Sequence, residues 1–177
     1  EKGGYKINEI EIYNDPAAIA AERINLAQSA TITKNNRDTE IGSWTDSSQV
    51  PGFLARLKDG NRENTNTNTL WRGGFSKLAK GEVGSVGDYY EFQWKNSVCV
   101  NSVDLYSSGL EWESVNAWHI DVTEDGTVWR TVGTVYDADL VGKVNEKTDI
   151  PTKSLSFKMQ ENIRGLRVYI DKAYLEK

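Results

Sequence analysis

Cysteine, methionine and histidine each occur once in this 177-residue chain, and proline only three times. The single Cys99 excludes an intramolecular disulfide, and its neighbours Val98 and Val100 suggest a buried thiol within a strand. One cysteine and one histidine cannot fill a zinc site without several carboxylates. His119 alternates with Trp118 and Ile120, as in mid-strand. A serine–histidine–acid triad would have to use it, and no nucleophile elbow accompanies it. Gly81, Gly84 and Gly87 form a loop before a strand and not before a helix, which removes a phosphate-cradling motif. No apolar run approaches a membrane span, and no signal peptide is visible. The net charge is −5, with the basic residues scattered. That pattern argues against nucleic acid and against anionic membranes, both of which favour a basic face.

Tryptophan is abundant, with six copies, and apolar residues make up 38% of the chain, enough for one well-filled core. Strand signals dominate. Tyr89–Trp94 alternates aromatic and polar residues, Val98–Tyr106 carries Val98, Val100, Val103 and Leu105, and Ala117–Thr123 puts Trp118, Ile120 and Val122 on one face. Glu124, Asp125 and Gly126 form a tight turn into a partner strand through Val128, Arg130 and Val132, a β-hairpin. Further strands are expected near 26–33, 154–158 and 166–171. Asn14, Asp15 and Pro16 open one short helix over 15–24. Long polar loops occupy 34–50, 59–69, 75–87 and 107–116. The fold class is therefore all-β: one antiparallel β-sandwich of jelly-roll type with a short N-terminal helix, residues 1–177 forming a single module without internal repeats.

Several segments resemble, in order, the discoidin (coagulation factor 5/8 type C) family and its carbohydrate-binding module family 32 branch. Asn25-Leu26-Ala27 with Ala30-Thr31-Ile32-Thr33 resembles its opening strand. Leu57-Lys58-Asp59-Gly60-Asn61, then Thr69-Leu70-Trp71, resembles its calcium loop. Tyr90-Glu91-Phe92 and Val103-Asp104-Leu105-Tyr106 are similar to the central strand pair. Ile120-Asp121-Val122-Thr123-Glu124-Asp125-Gly126-Thr127-Val128-Trp129 is similar to its hairpin, and Arg164–Ile170 to its penultimate strand. The closing strand that the family carries at its end stands here at the front, as Ile7-Asn8-Glu9-Ile10-Glu11-Ile12-Tyr13. The resemblance thus implies a circular permutant of a galactose-binding-like fold, with residues 1–13 closing the sheet and 25–171 forming the body.

The resemblance implies structural calcium, held by Asp59, Asn61, Thr69 and Glu9; Glu11 is an alternative to Glu9. Calcium takes six to eight oxygen ligands, and Gly60 permits the sharp bend that would gather them. It also implies a non-catalytic module that tethers a larger secreted, bacterial glycan-active enzyme to galactose-type or amino-sugar glycans. The chain starts at Glu1, and we read it as a piece of such a parent, extracellular or at the cell surface, covalently linked to other domains.

Sugar recognition needs an aromatic platform with a few placed polar groups. Trp118 and Trp129 fall within the hairpin strands, where core packing is expected, and Trp71 closes the calcium loop. Trp94 ends a strand and could face either way. Trp112 and Trp44 lie in polar loops, so Trp112, Trp44, Arg72, Glu111 and Asn116 are the candidate ligand-binding residues, with Phe53 a lesser one. Alternatives are a cell-surface adhesion module that binds a protein partner, or a small jelly-roll hydrolase or lyase. For the latter, carboxylate pairs such as Glu9 with Glu11 or Glu111 with Glu113 would serve, though solvated strand edges explain both pairs.

Overall fold

A computed structural model describes residues 5–14, 23–35, 54–62, 71–73, 83–107, 115–136 and 153–174. These form an antiparallel β-sandwich of seven strands: β1 (Tyr5–Tyr13), β2 (Thr31–Lys34), β3 (Trp71–Gly73), β4 (Val83–Ser107), β5 (Val115–Thr123), β6 (Arg130–Val135) and β7 (Lys153–Tyr174). Hydrogen bonding runs in the order β3-β1-β4-β7-β5-β6, with β2 attached to β4.

Two long strands organise the rest. Tyr89 to Gln93 of β4 pairs with Gly165 to Tyr169 of β7, whereas Ser102 to Leu105 pairs with Lys153 to Ser156. Between these halves the register shifts repeatedly from Gln93 to Ser102. Asn162 there takes φ 59°, an uncommon conformation that asparagine tolerates better than most residues. Bulges bend a ribbon while leaving its chains extended. The β4–β7 ribbon accordingly folds back on itself. One half joins β2, β5 and β6, and the other joins β1 and β3.

The layers meet through residues from every part of the chain. Ile7, Ile10 and Ile12 of β1, Phe92, Val103 and Leu105 of β4, Trp118 and Ile120 of β5, and Val168 and Ile170 of β7 are all fully buried in one cluster. Gly133 of β6 lies so close to Leu155 of β7 that a Cβ would sit 3.0 Å from its Cδ2.

Strand β1 is an interior strand of this chain's own sheet, flanked by β3 and β4. Among the described residues, β3 pairs only with Tyr5 to Ile7. Farther along, Asn25 Oδ1 accepts from Ile12 N at 3.1 Å and so satisfies an edge donor. The same oxygen accepts from Ala27 N at 3.0 Å and caps a 3-10 turn, Leu26–Ser29. A strand expected across residues 26–33 therefore begins only at Thr31, because the Asn25 side chain captures the backbone first.

Other boundaries differ from the sequence reading. The helix expected over 15–24 lies mostly outside the described residues, and Arg23 and Ile24 are not helical. The two strands expected at 89–94 and 98–106 are one, and Val83 to Gly87, expected in a loop, belong to it. Cys99 is in that strand but only partly buried.

Candidate functional site

The proposed calcium ligands fall in two groups. Thr69 lies outside the described residues. Glu9, Asp59 and Asn61 come together: Gly60 N donates to Glu9 Oε1 at 3.0 Å across 51 residues of sequence, and Asn61 N donates to Asp59 Oδ1 at 2.8 Å. Gly60 has φ +86°, the left-handed bend that presents this loop to β1. Glu9 is fully buried, and its second oxygen, Oε2, has no hydrogen-bond partner among the described residues. Burial, reinforced by the charges of Asp59 and Glu11, pushes its carboxyl up to about 9. A buried carboxylate oxygen without a donor, beside a second carboxylate on a tight loop, fits a hard cation. No three histidine, cysteine or acidic side chains are arranged to hold a metal ion among the described residues, so carbonyl or amide oxygens would have to complete such a site.

Glu11 has a different task. Its carboxylate takes two hydrogen bonds from Arg62, Nε to Oε1 at 2.7 Å and Nη2 to Oε2 at 2.9 Å, and one from the Tyr13 hydroxyl. The Tyr106 hydroxyl lies 3.4 Å from Oε2. Burial and the neighbouring Glu11 charge hold both phenols well above their usual range. Arg23 covers the same face, with its guanidinium 3.8 Å from the Tyr13 ring centroid and bonded to Ser102 Oγ at 3.3 Å. The expectation that Glu9 and Glu11 sit on a solvated edge is therefore corrected. Loops from 23–30 and 54–62 cover β1, and both acids are buried.

Of the candidate sugar ligands, Trp44, Glu111 and Trp112, with Phe53, lie outside the described residues. Arg72 is in β3, its backbone paired with Lys6, and Asn116 is half-buried in β5. Ile7 pairs with Trp71 on one side and Ser107 on the other, so β3 stands one strand away from the residue that precedes segment 108–114, and Asn116 follows that segment at the start of β5.

The opposite end of the sandwich holds a feature that the sequence reading missed. A cleft of about 310 Å³ opens where the β4–β7 ribbon bends, lined by Gln93, Trp94, Arg164 and Gly165, with the β5–β6 turn and Trp129 on its other side. Trp129, expected in a strand and in the core, precedes β6 and is only half-buried. It lies over Gly165, where a Cβ would come 3.0 Å from its Cη2 and 2.9 Å from Thr123 Cγ2. The Arg167 guanidinium stacks 3.8 Å from the Trp129 centroid and bonds Glu91 Oε2 at 2.7 Å. Trp94 is turned inward, its Nε1 donating to Leu26 O at 2.9 Å.

The β5–β6 turn that forms one wall is held by Asp125. Its Oδ1 accepts from Thr127 N and Val128 N at 2.8 and 2.9 Å and from Thr123 Oγ1 at 3.1 Å, which holds its carboxyl well below the usual range. Tripeptide Glu124-Asp125-Gly126 made the turn visible in sequence. The facing glycine 39 residues away did not signal where Trp129 would lie.

Across the same sheet, Tyr89, Tyr169 and His119 are register partners on three strands. His119 stacks on Tyr169 at 4.5 Å and 7°, and its Nδ1 contacts Asp171 Oδ2 at 2.7 Å, with Nε2 3.6 Å from Asp121 Oδ1. Asp121 and Asp171 raise the imidazole to about 9. It is thus a charged member of the sheet surface, and no nucleophilic side chain adjoins it among the contacts of the described residues.

Comparison of the chain with protein-family models, with curated proteins and with solved structures finds no match.

Proposed function

We propose that this chain is a non-catalytic carbohydrate-binding module, stabilised by calcium, that tethers a larger glycan-active enzyme to its substrate. The observation that supports the reading is the placement of Arg72 and Asn116 around the connection between β4 and β5. Strand β3, with Arg72, adjoins β1 next to Ser107, and Asn116 stands just beyond the return of the segment that contains Glu111 and Trp112. Arg72 thus lies one strand away from the residue before that segment and Asn116 just after it, which supports a loop-borne binding site. The resemblance to discoidin-type modules supports the same reading and favours galactose-type or amino-sugar ligands. Calcium would be held by Glu9 and Asp59 with oxygens of Asn61 and Thr69, and would neutralise the buried carboxylate away from the sugar. Tethering raises local substrate concentration without any chemistry by the module itself.

The test is a broad glycan array probed with the purified chain beside Trp112→Ala and Trp44→Ala. Hits that share one terminal sugar and disappear in either variant are expected. Silence across the array, with all three proteins folded, would defeat the reading and shift weight to a protein partner.

A further inference from the structure

The cleft at the ribbon bend has the attributes of a ligand site and lies away from the loop end. Along β5 from Val115 to Thr123 there are eight residue steps, so the two ends stand roughly 26 Å apart at about 3.3 Å per residue. Its volume, about 310 Å³, falls at the lower end of the range for small-molecule sites, roughly 300–1,000 Å³. An indole forms part of the lining and is fixed before any ligand arrives. Gly165 lets the Trp129 ring settle on the sheet, and Arg167, itself held by Glu91, stacks on it. Such preorganisation lowers the entropy lost on binding.

The polar groups of the lining define the ligand. Gln93 contributes an amide whose nitrogen also donates to Glu91 Oε1, Glu124 a carboxylate 3.3 Å from Arg130 Nη2, and Arg164 a guanidinium whose Nη1 donates to Lys95 O. Each therefore offers a ligand only its remaining donors or acceptors, while the Asp125 carboxylate is engaged by its own turn. No surplus of positive charge is available for a phosphate, sulfate or carboxylate. Donors and acceptors of both kinds around an indole suit a ring that is hydroxylated on its edge, apolar on its C–H face and uncharged.

We propose that this cleft is a second glycan site, which takes a neutral sugar unit and lets one module grip a polysaccharide at two places. The ligand class rests on the carbohydrate-binding reading above, but the residues are separate. Two linked sites raise avidity without any new contact, provided one chain spans both.

The experiment is a titration of the ¹⁵N-labelled full chain, followed by NMR, with cello-, xylo-, manno- and galactohexaose, and with a heparin hexasaccharide as the anionic comparator. At least one neutral hexaose should shift the Trp129 and Trp94 indole signals and the Gly126 and Gly165 amides. Arg164→Ala and Gln93→Ala, at solvent-exposed positions, should weaken that binding at least fivefold with unchanged melting. Trp112→Ala should leave the cleft shifts in place. Shifts confined to residues 108–116 and erased by Trp112→Ala would overturn the second site while the proposed function stood. No cleft shift with any neutral hexaose would overturn the second site whatever the glycan array shows for the loop end, and cleft shifts with the heparin fragment alone would overturn the neutral class.

Discussion

Arg62 grips Glu11 through two hydrogen bonds of 2.7 and 2.9 Å, joining the 54–62 segment to the first strand of the chain. Glu11 is 2% exposed, so loss of that partner would strand a buried carboxylate. Arg62→Met should lower stability by about 2 kcal/mol, since the guanidinium is itself partly solvated and the full penalty for stranding a buried charge is about 3–5 kcal/mol. Pairing it with Glu11→Leu should recover much of the loss. Urea denaturation of the single and double variants checks this, and a single variant as stable as the parent would contradict it.

Replacing Glu9, whose buried carboxyl is raised to about 9 and so is protonated at neutral pH without metal, should act differently. Its buried Oε2 has no hydrogen-bond partner among the described residues, so Glu9→Gln in the presence of chelator should melt at or above the parent. Calcium at 100 times its dissociation constant should raise the parent's stability by about 2.7 kcal/mol and leave Glu9→Gln unmoved. A parent melt indifferent to chelator would sink the calcium proposal.

Gly165→Ala should cost about 1–3 kcal/mol by overpacking, because the new methyl would meet Thr123 and Trp129 at 2.9 and 3.0 Å. The informative readout is Trp129 fluorescence. Displacement of the indole should change its emission even in protein that remains folded, and an unchanged spectrum with unchanged stability would show that the ring does not rest there.

His119 gives a pH dependence whose sign is fixed by its raised folded value. The unfolded imidazole titrates near 6.5 and the folded one at about 9. Its stabilising contribution is therefore complete below about pH 6.5 and is lost as pH rises through 9. With the side chain 23% exposed, that loss is on the order of 2 kcal/mol after allowance for solvent screening. Thermal melts between pH 6 and 9.5 should decline in the parent, and more weakly in His119→Gln. Equal slopes would assign the decline to other groups.

Much of the architecture was legible because strand alternation is a local property. The β5–β6 hairpin followed from Ala117–Thr123 and its turn, whereas β1 was expected only from the likeness of Ile7–Tyr13 to a discoidin closing strand, since a register shift between Ile7 and Glu9 breaks its alternation. What escaped depends on contacts remote in sequence. The strands at 89–94 and 98–106 merge because bulges keep the backbone paired through the bend. The burial of Glu9 and Glu11 depends on Gly60 and Arg62, some 51 residues away. Trp129 leaves the hairpin's expected alternation because β6 starts only at Arg130 and Gly165 offers a place for the indole. The proposed calcium loop was readable as a set of oxygen donors, and the orphaned Oε2 opposite it became visible only in three dimensions.

Because β4 and β7 each run through both layers, the sandwich has no seam along which one sheet could detach from the other. Any opening that frees the β1 layer must also break the hydrogen bonds of the ribbon that supports β5. The deepest amides of the two layers should therefore exchange with solvent as one population. The molecule would behave as a single all-or-none unit under load, a property that would suit the tethering role proposed above.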